Sequence, residues 1–291
     1  MTPINHNIKP IYYYEHPFAL PRGGVDKTGW IWRGDKCFCH HSSVVDLFAS
    51  NEVDREFTLF TEAADMMYHY NGEDSIGIGF PHLPNLYTIQ CLTIPKGLKK
   101  WYTTNSNLDK GIKSQLRLNI ECCPIGIYDG YHNNKIPKRE VEDLMKEVDK
   151  VDKKTLCLMN FNINNRMERH WLYHSGKQVE WVSAYENKDF NYKQILSDIL
   201  HSKFVICPIS NGIETSRIWE SVLLGAIPVV IQSPWSDNFK DLPILSIPSW
   251  NFLTKSFLED AWQTHIYKLN SNQYNYNKLD ANHWTRLTES V

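Results

Sequence analysis

From residue 155 onwards, short apolar runs alternate with stretches in which apolar residues recur every three or four positions. The runs Thr155–Asn162, Lys203–Pro208 and Ile227–Ile231 have the length of buried strands. Between two of them, Tyr192–Ser202 has the spacing of an amphipathic helix. Strands that alternate with helices are typical of parallel sheets, because a strand reaches a parallel neighbour only through a crossover connection. The second half of the chain is therefore predicted to form a Rossmann-like unit.

The remaining elements of this half complete the same pattern. Further strands are predicted at Val179–Ser183 and Leu245–Ile247, and helices from about Asn165, over about Glu214–Leu224 and over about Lys255–Leu269. Gly225 is expected to close the helix before Ile227, because glycine adopts the left-handed conformation that ends many helices.

The first half of the chain has a less regular pattern. Strands are predicted at Pro10–Tyr14, Cys37–His41, Phe57–Thr61, Lys100–Thr104 and Ile120–Ile125. The stretch from Ile76 to Thr93 mixes glycine, proline and alternating apolar residues, and its pattern does not decide between strand and loop. Lys138–Lys150 is rich in charge with apolar residues three and four apart, which predicts an amphipathic surface helix leading into the second half.

The length and charge of the chain exclude several classes of protein. Its 291 residues are enough for two domains, each able to bury a core. Lys and Arg number 31 against 33 Asp and Glu, and the formal net charge of -2 argues against a broad nucleic-acid-binding surface. No apolar run approaches the roughly 18–20 residues of a membrane span, and no signal-peptide pattern opens the chain. The 7 scattered cysteines are typical of buried thiols in a reducing compartment, so a cytoplasmic location is expected.

Several catalytic motifs are absent from the sequence. It contains no P-loop, no complete dinucleotide-binding glycine fingerprint, no G-x-S-x-G nucleophile elbow and no H-E-x-x-H zinc motif. No two aspartates stand two positions apart, so the pair with which many sugar transferases bind a metal ion is missing as well. P-loop phosphoryl transfer is therefore not expected.

The segment after Lys203–Pro208 is the most informative part of the sequence. A small polar turn leads into a helix, and the N–H groups at a helix N-terminus suit a phosphate. Arg217 can bind the same anion through its guanidinium, and Glu220, one turn further on, can accept two hydrogen bonds from a ribose diol. The residues assigned to a nucleotide site are Ser210, Asn211, Gly212, Glu214, Thr215, Ser216, Arg217 and Glu220. The alternative is a simple ion pair between Arg217 and Glu220 on a solvated helix.

The same segment resembles the donor-domain signature of the exostosin-like glycosyltransferases. The residues shared with that signature are Lys203, Phe204, Cys207, Pro208, Asn211, Gly212, Ile213, Arg217, Trp219, Glu220, Gly225, Ile227 and Pro228. The chain departs from it at Glu214, where the family usually has aspartate, and at Ser216, where the family often has histidine. Leu156–Arg166 also matches the family, in the half of the chain where the resemblance is strong. In the first half, where it is weak, Lys100–Asn105 and Cys123–Ile127 match, and Phe57–Asp65 is a looser match.

The resemblance implies an α/β protein with the GT-B fold, in which two Rossmann-like domains face a central cleft. Residues 1–135 are then expected to bind the acceptor, residues 150–270 to bind the nucleotide-sugar, and residues 271–291 to pack back on the body. The implied activity moves a sugar from a nucleotide-sugar, expected to be UDP-linked, to an acceptor hydroxyl, with inversion and without metal or cofactor. Many animal and plant relatives carry a membrane anchor. No anchor is recognised in this sequence, so a bacterial or viral origin is expected.

The acceptor stays open between a glycan, a lipopolysaccharide, a protein, a small molecule and a hydroxymethylated DNA base. The net charge gives the nucleic-acid acceptor no support. Two other functions also stay open: a protein that binds a nucleotide or sugar without catalysis, and a different Rossmann enzyme such as a nucleotide-sugar epimerase. The incomplete glycine fingerprint disfavours the epimerase.

Catalysis requires two further kinds of residue. Arg166, at the start of a helix, is assigned as a second cation for the diphosphate, and Arg217 as the residue that stabilises the leaving diphosphate. The candidates for the general base, at strand ends in the first half, are Asp65, Glu62, His41 and His82. Asp65 is preferred, because it ends a buried strand in a polar loop. For Asn165 a helix cap is favoured over a ligand contact, and for Asn162 both roles stay open.

Three other groups have patterns of low specificity. Cys37, Cys39 and His41 would share one face of a strand, but no second pair of ligands follows at zinc-site spacing. His170 and His174 are one helical turn apart and are expected to be surface residues. Trp181 is expected to pack in the core, with stacking on a nucleobase as the alternative. No metal site is therefore predicted.

Overall fold

The computed structural model describes residues 8–12, 16–20, 29–62, 67–72, 75–80, 87–127, 138–164, 166–185 and 191–289. They form a mixed α/β fold that divides into two compact units. The C-terminal unit consists of the described parts of Met1–Pro10, Gly126–Pro208 and Thr215–Leu279, and the N-terminal unit of those of Ile11–Ile125, Ile209–Glu214 and Asp280–Val291. The GT-B cleft between two domains stays a prediction. None of the described helices is long and apolar enough to cross a membrane.

Strands and helices alternate along most of the described chain. The strands are β1 Trp30–Arg33, β2 Lys36–His40, β3 Phe57–Glu62, β4 Met67–Gly72, β5 Ser75–Phe80, β6 Tyr87–Leu92, β7 Leu98–Thr103, β8 Ile120–Cys122, β9 Thr155–Met159, β10 Val182–Ala184, β11 Ser202–Ile206, β12 Ile227–Ile231 and β13 Leu245–Ile247. The helices are α1 Val44–Ala49, α2 Lys110–Gln115, α3 Lys138–Lys146, α4 Met167–Gly176, α5 Tyr192–Leu200, α6 Ser216–Leu223, α7 Pro234–Asp237, α8 Lys255–Asn270 and α9 Ala281–Glu289. Short 3-10 turns lie at His41–Ser43, Asn51–Val53, Trp250–Phe252 and Tyr276–Leu279.

The main sheet of the N-terminal unit has the order β1-β2-β3-β7-β8. β1 pairs antiparallel with β2, and the other neighbours pair in parallel. A separate antiparallel sheet, β4-β5-β6, comes between β3 and β7 in the chain. The sequence analysis predicted neither β1 nor β4, and it left undecided the stretch that contains most of β5 and β6, because glycine and proline interrupt its apolar pattern. The strand predicted at Pro10–Tyr14 is wrong for its described residues, which contain only single bridges at Pro10 and Tyr12.

The two faces of β2 and β3 contribute to two apolar clusters. Cys37 and Leu59 are buried in the first cluster. Phe38 and Phe60 stack on the opposite face, with ring centroids 4.9 Å apart. Trp284 of α9 is fully buried in this second cluster. Alternating side chains of the central strands therefore fill both layers of the N-terminal unit.

The C-terminal unit is built on a parallel sheet of the order β10-β9-β11-β12-β13. The chain runs from β9 out to β10, returns past β9 to β11, and continues to β12 and β13, so its direction reverses between β9 and β11. Right-handed crossovers then put α4 on one face of the sheet and α5 and α6 on the other. The contacts agree with this, since α5 contacts β11, α6 contacts β12 and the two helices contact each other. On the α4 face, Leu258 of α8 packs with Met159 and Phe204.

A half-buried lysine joins the C-terminal ends of α5 and α6. The Nζ of Lys153 donates hydrogen bonds to the carbonyl oxygens of Leu200 and Leu224, at 2.8 Å and 2.7 Å. Burial lowers the pKa of Lys153 to about 7. A neutral amine keeps two N–H donors, which match these two carbonyls. The contact therefore satisfies carbonyls that have no partner inside their own helices.

Gly225 ends α6 as the sequence predicts. Its φ is 68°, in the left-handed region. The N–H of Ala226 donates to the carbonyl of Ser221 at 2.8 Å, and the N–H of Gly225 to that of Val222 at 3.2 Å. This pair of hydrogen bonds is the Schellman motif, which pairs the last carbonyls of a helix.

We expect Gly225→Ala to lower the free energy of unfolding by about 1 kcal/mol, because a Cβ is strained at this φ. Gly225→Asn should cost less, since asparagine tolerates the left-handed region better than alanine. Urea denaturation of the two variants and the parent measures the difference. Equal stability of the alanine and asparagine variants would contradict this account of the turn.

Candidate functional site

Three strands of the C-terminal sheet end at its carboxyl edge. Asn160 directly follows β9, Tyr185 directly follows β10, and Pro208 follows β11 by two residues. α4 and α6 begin at this same edge, because they follow β9 and β11 in the chain. In doubly wound sheets, ligands bind at the carboxyl ends of the strands where the chain direction reverses. The edge at β9 and β11 is therefore the candidate site.

The guanidinium of Arg169 joins the two strand ends at this point. Its Nη2 donates to the carbonyl oxygen of Pro208 at 2.8 Å, and its Nη1 to that of Asn162 at 3.2 Å. Its Cζ lies 5.5 Å from the centroid of the Phe161 ring. The residue is only 5% exposed, and burial lowers the pKa of Arg169 to about 10, which still leaves it charged at neutral pH. A buried cation thus links the loop after β9 to the end of β11.

Two more arginines add positive charge at this edge. Arg166 immediately precedes α4, and Arg217 is the second residue of α6. Burial is the largest cause of the lowered pKa of Arg169, and the charges of Arg166 and Arg217 lower it further. Arg166 and Arg217 therefore each lie within electrostatic reach of Arg169, as does the carboxylate of Glu168, which acts in the opposite direction. An anion bound near the three arginines would pair with their positive charges, and the first N–H groups of α6 are available donors at such a position.

Arg217 is held by a buried carboxylate one turn along α6. Its Nη1 lies 3.2 Å from Oε2 of Glu220, while Oε1 of Glu220 accepts a hydrogen bond of 2.6 Å from the hydroxyl of Tyr192. Nη1 and Oε2 are both buried and are not in hydrogen-bonding geometry with any protein atom. The hydroxyl of Tyr192 and the guanidinium of Arg217 each use one oxygen of Glu220, and the ribose contact predicted for Glu220 stays a prediction. The ion pair predicted as the alternative is present, but it is buried at the site rather than solvated.

Tyr185, which directly follows β10, is hydrogen-bonded to a carboxylate of α5. Its hydroxyl donates a short hydrogen bond to Asp198 of α5. Burial and then this hydrogen bond raise the pKa of Tyr185, and the positive charge of Arg217 lowers it. Tyr185 therefore lies within electrostatic reach of Arg217. The sequence analysis did not single out Tyr185, Tyr192 or Asp198, and nothing in their local pattern distinguishes them from core or surface residues.

The structure divides the predicted nucleotide segment between the two units. Thr215 and Ser216 begin α6 in the C-terminal unit, with Thr215 as the N-cap residue. The residues assigned to the N-terminal unit are Ser210, Asn211, Gly212 and Glu214. Within that turn, the N–H of Ser210 donates to the carbonyl of Gly212 at 3.1 Å. Donor binding by these residues stays a prediction.

Glu214 has a structural role within the N-terminal unit. Its Oε1 accepts a 2.6 Å hydrogen bond from the N–H of Ile125, and its Oε2 one of 3.4 Å from the N–H of Asn105. Its own N–H donates to the side-chain oxygen of Asn105 at 3.1 Å. The residue is 2% exposed. Asn105 adopts a φ of 53°, so this reciprocal contact also fixes a left-handed residue.

The candidates for the general base are only partly described. Asp65 and His82 lie outside the described residues, as does the predicted cap Asn165. Glu62 is the last residue of β3, and burial raises the pKa of its carboxyl to about 7. His41 lies in the turn after β2, with its Nδ1 3.0 Å from the carbonyl oxygen of Glu62. Burial and the charge of His40 lower the pKa of His41 to about 4, which makes it a weak base.

A cluster that the sequence analysis missed has the composition of a cysteine nucleophile site. The Sγ of Cys123 lies 3.6 Å from Nε2 of His16, and Nδ1 of His16 lies 3.9 Å from Oε2 of Glu62. However, Nε2 is 3.0 Å from the carbonyl oxygen of Pro124, and Nδ1 accepts the N–H of Phe18 at 3.2 Å. The imidazole therefore has no free lone pair for the thiol, whose pKa burial raises well above its usual range. The cluster is a structural one.

The residues with possible metal or stacking roles lie in ordinary surroundings. Cys37 and Cys39 are buried in the apolar core, where burial raises the pKa of both thiols. His170 and His174 are exposed surface residues, as predicted. Trp181 packs against the core cluster around Phe204, which confirms the core interpretation. Within the part of the chain that the structure describes, no three His, Cys, Asp or Glu residues are grouped as metal ligands.

No protein-family model matches the chain, and no curated protein matches it. Among solved structures, one described as "Crystal structure of GtfA/B complex" is similar, with a TM-score of 0.38 and 10% sequence identity. The match covers 92% of this chain and 63% of that chain. Neither a family nor an activity follows from an overlap of this extent.

We expect Glu214→Gln to lower the free energy of unfolding by about 1–3 kcal/mol. Each carboxylate oxygen now accepts a hydrogen bond from a backbone N–H group, and the amide nitrogen of glutamine cannot accept one. The exposed Glu259→Gln in α8 loses the same charge and should change stability by less than about 0.5 kcal/mol. Chemical denaturation of both variants tests the assignment. A Glu214 variant as stable as the Glu259 variant would contradict it.

Proposed function

We propose that the C-terminal unit binds the diphosphate of a nucleotide-sugar and that the protein is a glycosyltransferase of the GT-B type. The observation that carries this proposal is the gathering of Arg166, Arg169 and Arg217 at the edge where the parallel sheet reverses direction. A diphosphate would pair with these cations, because guanidinium groups bind phosphate oxygens in bidentate geometry. The resemblance of Lys203–Val230 to exostosin-like donor domains supports a UDP-linked sugar.

In this proposal, the arginines act on the leaving group. Breaking the glycosidic bond transfers negative charge to the diphosphate, so cations fixed beside it stabilise the transition state more than the ground state. Glu220 orients Arg217. The hydroxyl of Tyr192 fixes the carboxylate of Glu220, and this carboxylate pairs with the guanidinium of Arg217. Arg169 is positioned by two backbone carbonyls, so its charge is fixed in place before any ligand binds. The site is therefore preorganised for charge that develops during the reaction.

A thermal-shift titration with nucleoside diphosphates tests the donor class. UDP at 100 times its Kd should stabilise the protein by about 2.7 kcal/mol. ADP and GDP at the same concentration should give smaller shifts if the donor is UDP-linked. Absence of a shift with every nucleoside diphosphate would refute the donor site.

Arg217→Ala should weaken UDP binding by about tenfold or more. It should also slow transfer from a UDP-sugar, with a loss of about 2–4 kcal/mol of transition-state stabilisation. Arg217→Lys should recover only part of the loss, because an ammonium cannot form the bidentate contact. Arg286→Ala removes the same charge from an exposed position of α9 and serves as the control. Calorimetry with UDP and the rate of UDP release are the measurements. Equal effects of the alanine variants at positions 217 and 286 would remove Arg217 from the site.

Two carboxylates remain as proposals for the general base. Asp65 is the residue preferred from the sequence. Glu62 is the alternative that its environment supports, because a base is most effective when its pKa lies near the working pH and burial raises the pKa of Glu62 to about 7.

If Glu62 is the base, kcat/KM should rise with pH up to about 7 and then level off, because the carboxyl must lose its proton to accept one from a hydroxyl. Glu62→Gln should abolish that rise and slow transfer by about 10²–10⁴-fold. Asp65→Asn is the matched variant. A pH profile that Glu62→Gln leaves intact, together with a large loss in Asp65→Asn, would assign the base to Asp65.

The second candidate function is binding of a nucleotide or sugar without catalysis. The same cation cluster would serve it, so UDP affinity does not distinguish the two. Release of free UDP from a UDP-sugar, measured with and without added acceptors, separates them. Continuous release that increases with an acceptor supports the transferase.

A further inference from the structure

The amino edge of the C-terminal sheet contains a cavity remote from the proposed donor site. Its volume is about 420 Å³, and the segment before β9, the turn between α6 and β12, and α8 contribute to its walls. Lys203 at the start of β11 and Gly225 before β12 line it, whereas the arginines lie beyond the other ends of these strands. The volume is within the range of sites for small molecules.

A row of aromatic rings forms part of one wall of the cavity. Successive ring centroids of Trp262, His265, Tyr274 and Tyr276 are 5.3, 5.4 and 6.2 Å apart. Trp262, His265 and Tyr276 line the cavity directly, and the Nζ of Lys203 lies 5.5 Å from the Trp262 ring centroid. Such a wall favours a planar aromatic occupant, because rings stack or meet edge to face.

The hydroxyl of Tyr276 is buried and has no hydrogen-bond partner in the protein. Leaving such a group unpaired is unfavourable, and a movement of the Tyr276 ring toward the cavity would let a polar ligand atom satisfy it. The imidazole of His265 is paired with another residue, since its Nδ1 lies 3.0 Å from the Tyr274 hydroxyl. Burial lowers the pKa of His265 to about 4, so this imidazole is neutral at pH 7.

Lys153 supplies the charge that would select an anion. Its Nζ donates to the carbonyls of Leu200 and Leu224, and protonation adds a third N–H that neither carbonyl uses. The charged or titratable groups that line the cavity around it are Asp149, Lys150, Asp152, Lys203, His265 and Tyr276. Three lysines thus face two aspartates, which leaves a positive balance when Lys153 is protonated.

We propose that this cavity binds a small aromatic carboxylate, with its ring against Trp262 and its carboxylate accepting hydrogen bonds from Tyr276 and from protonated Lys153. Binding then takes up a proton, because the bound carboxylate stabilises the ammonium form of Lys153. The site is independent of the nucleotide-sugar donor.

Isothermal titration with 2-naphthoate, and with 2-naphthamide as its uncharged counterpart, tests the proposal on the full-length protein. Naphthoate should bind roughly tenfold more tightly at pH 6.5 than at pH 8.5, since Lys153 loses its proton near pH 7 in the free protein. At pH 8, titrations in buffers of different ionisation enthalpy should report uptake of about one proton. Naphthamide should bind more weakly at pH 6.5 and show no such pH dependence.

Three variants locate the interaction. Tyr276→Phe keeps the shape of the ring and should weaken naphthoate binding severalfold without removing its pH dependence. Lys153→Met should remove the pH dependence, whereas Lys255→Met, at an exposed position of α8, should leave both affinity and pH dependence unchanged. No binding of naphthoate, binding independent of pH, equal binding of naphthamide, or displacement of naphthoate by UDP would each overturn the proposal. The UDP titration of the parent protein is judged separately, so failure of one site does not imply failure of the other.

Discussion

The buried guanidinium of Arg169 holds the carboxyl edge of the C-terminal sheet together. A cation removed from water is costly unless hydrogen bonds replace its hydration, and the carbonyls of Asn162 and Pro208 provide them. One carbonyl follows β9 and the other follows β11, so the charge sits where the chain reverses direction. The two carbonyls stabilise the guanidinium without removing its charge, so Arg169 contributes a fixed positive charge at this edge.

Glu214 and Glu220, six residues apart, have different structural roles because their hydrogen-bond partners differ. Glu214 accepts two backbone N–H groups and is part of the framework of the N-terminal unit. Glu220 accepts one hydroxyl and pairs with Arg217, so its charge fixes the orientation of another charge. From the sequence, both carboxylates were assigned to one nucleotide site, because both lie within one short segment. The difference between them depends on Asn105, Ile125 and Tyr192, which lie far away in the chain.

Features that depend on neighbouring residues could be predicted from the sequence, whereas features that depend on distant partners could not. The strands and helices from Thr155 onwards follow from apolar spacing, and Gly225 ends α6 through a rule that involves only its neighbours. Arg217 was identified because a turn and a helix start are visible beside it. Arg169 was not, because its contact with Pro208 spans 39 residues and depends on the order of the strands. In the N-terminal unit, glycine and proline interrupt the apolar period of Ile76–Thr93, so β5 and β6 could not be assigned from the sequence.

α6 connects the two edges of the C-terminal sheet. Its N-terminus carries Arg217 at the proposed donor site, and the carbonyl of Leu224 at its other end is bound by Lys153. An anion at the first end and a cation at the second both interact favourably with the helix dipole. However, the dipole effect falls off within one turn, and a helix of 8 residues separates the two ends by ~12 Å. Occupation of one site should therefore affect the other by well under ~1 kcal/mol, which allows a donor site and a small-molecule cavity to share one helix and act independently.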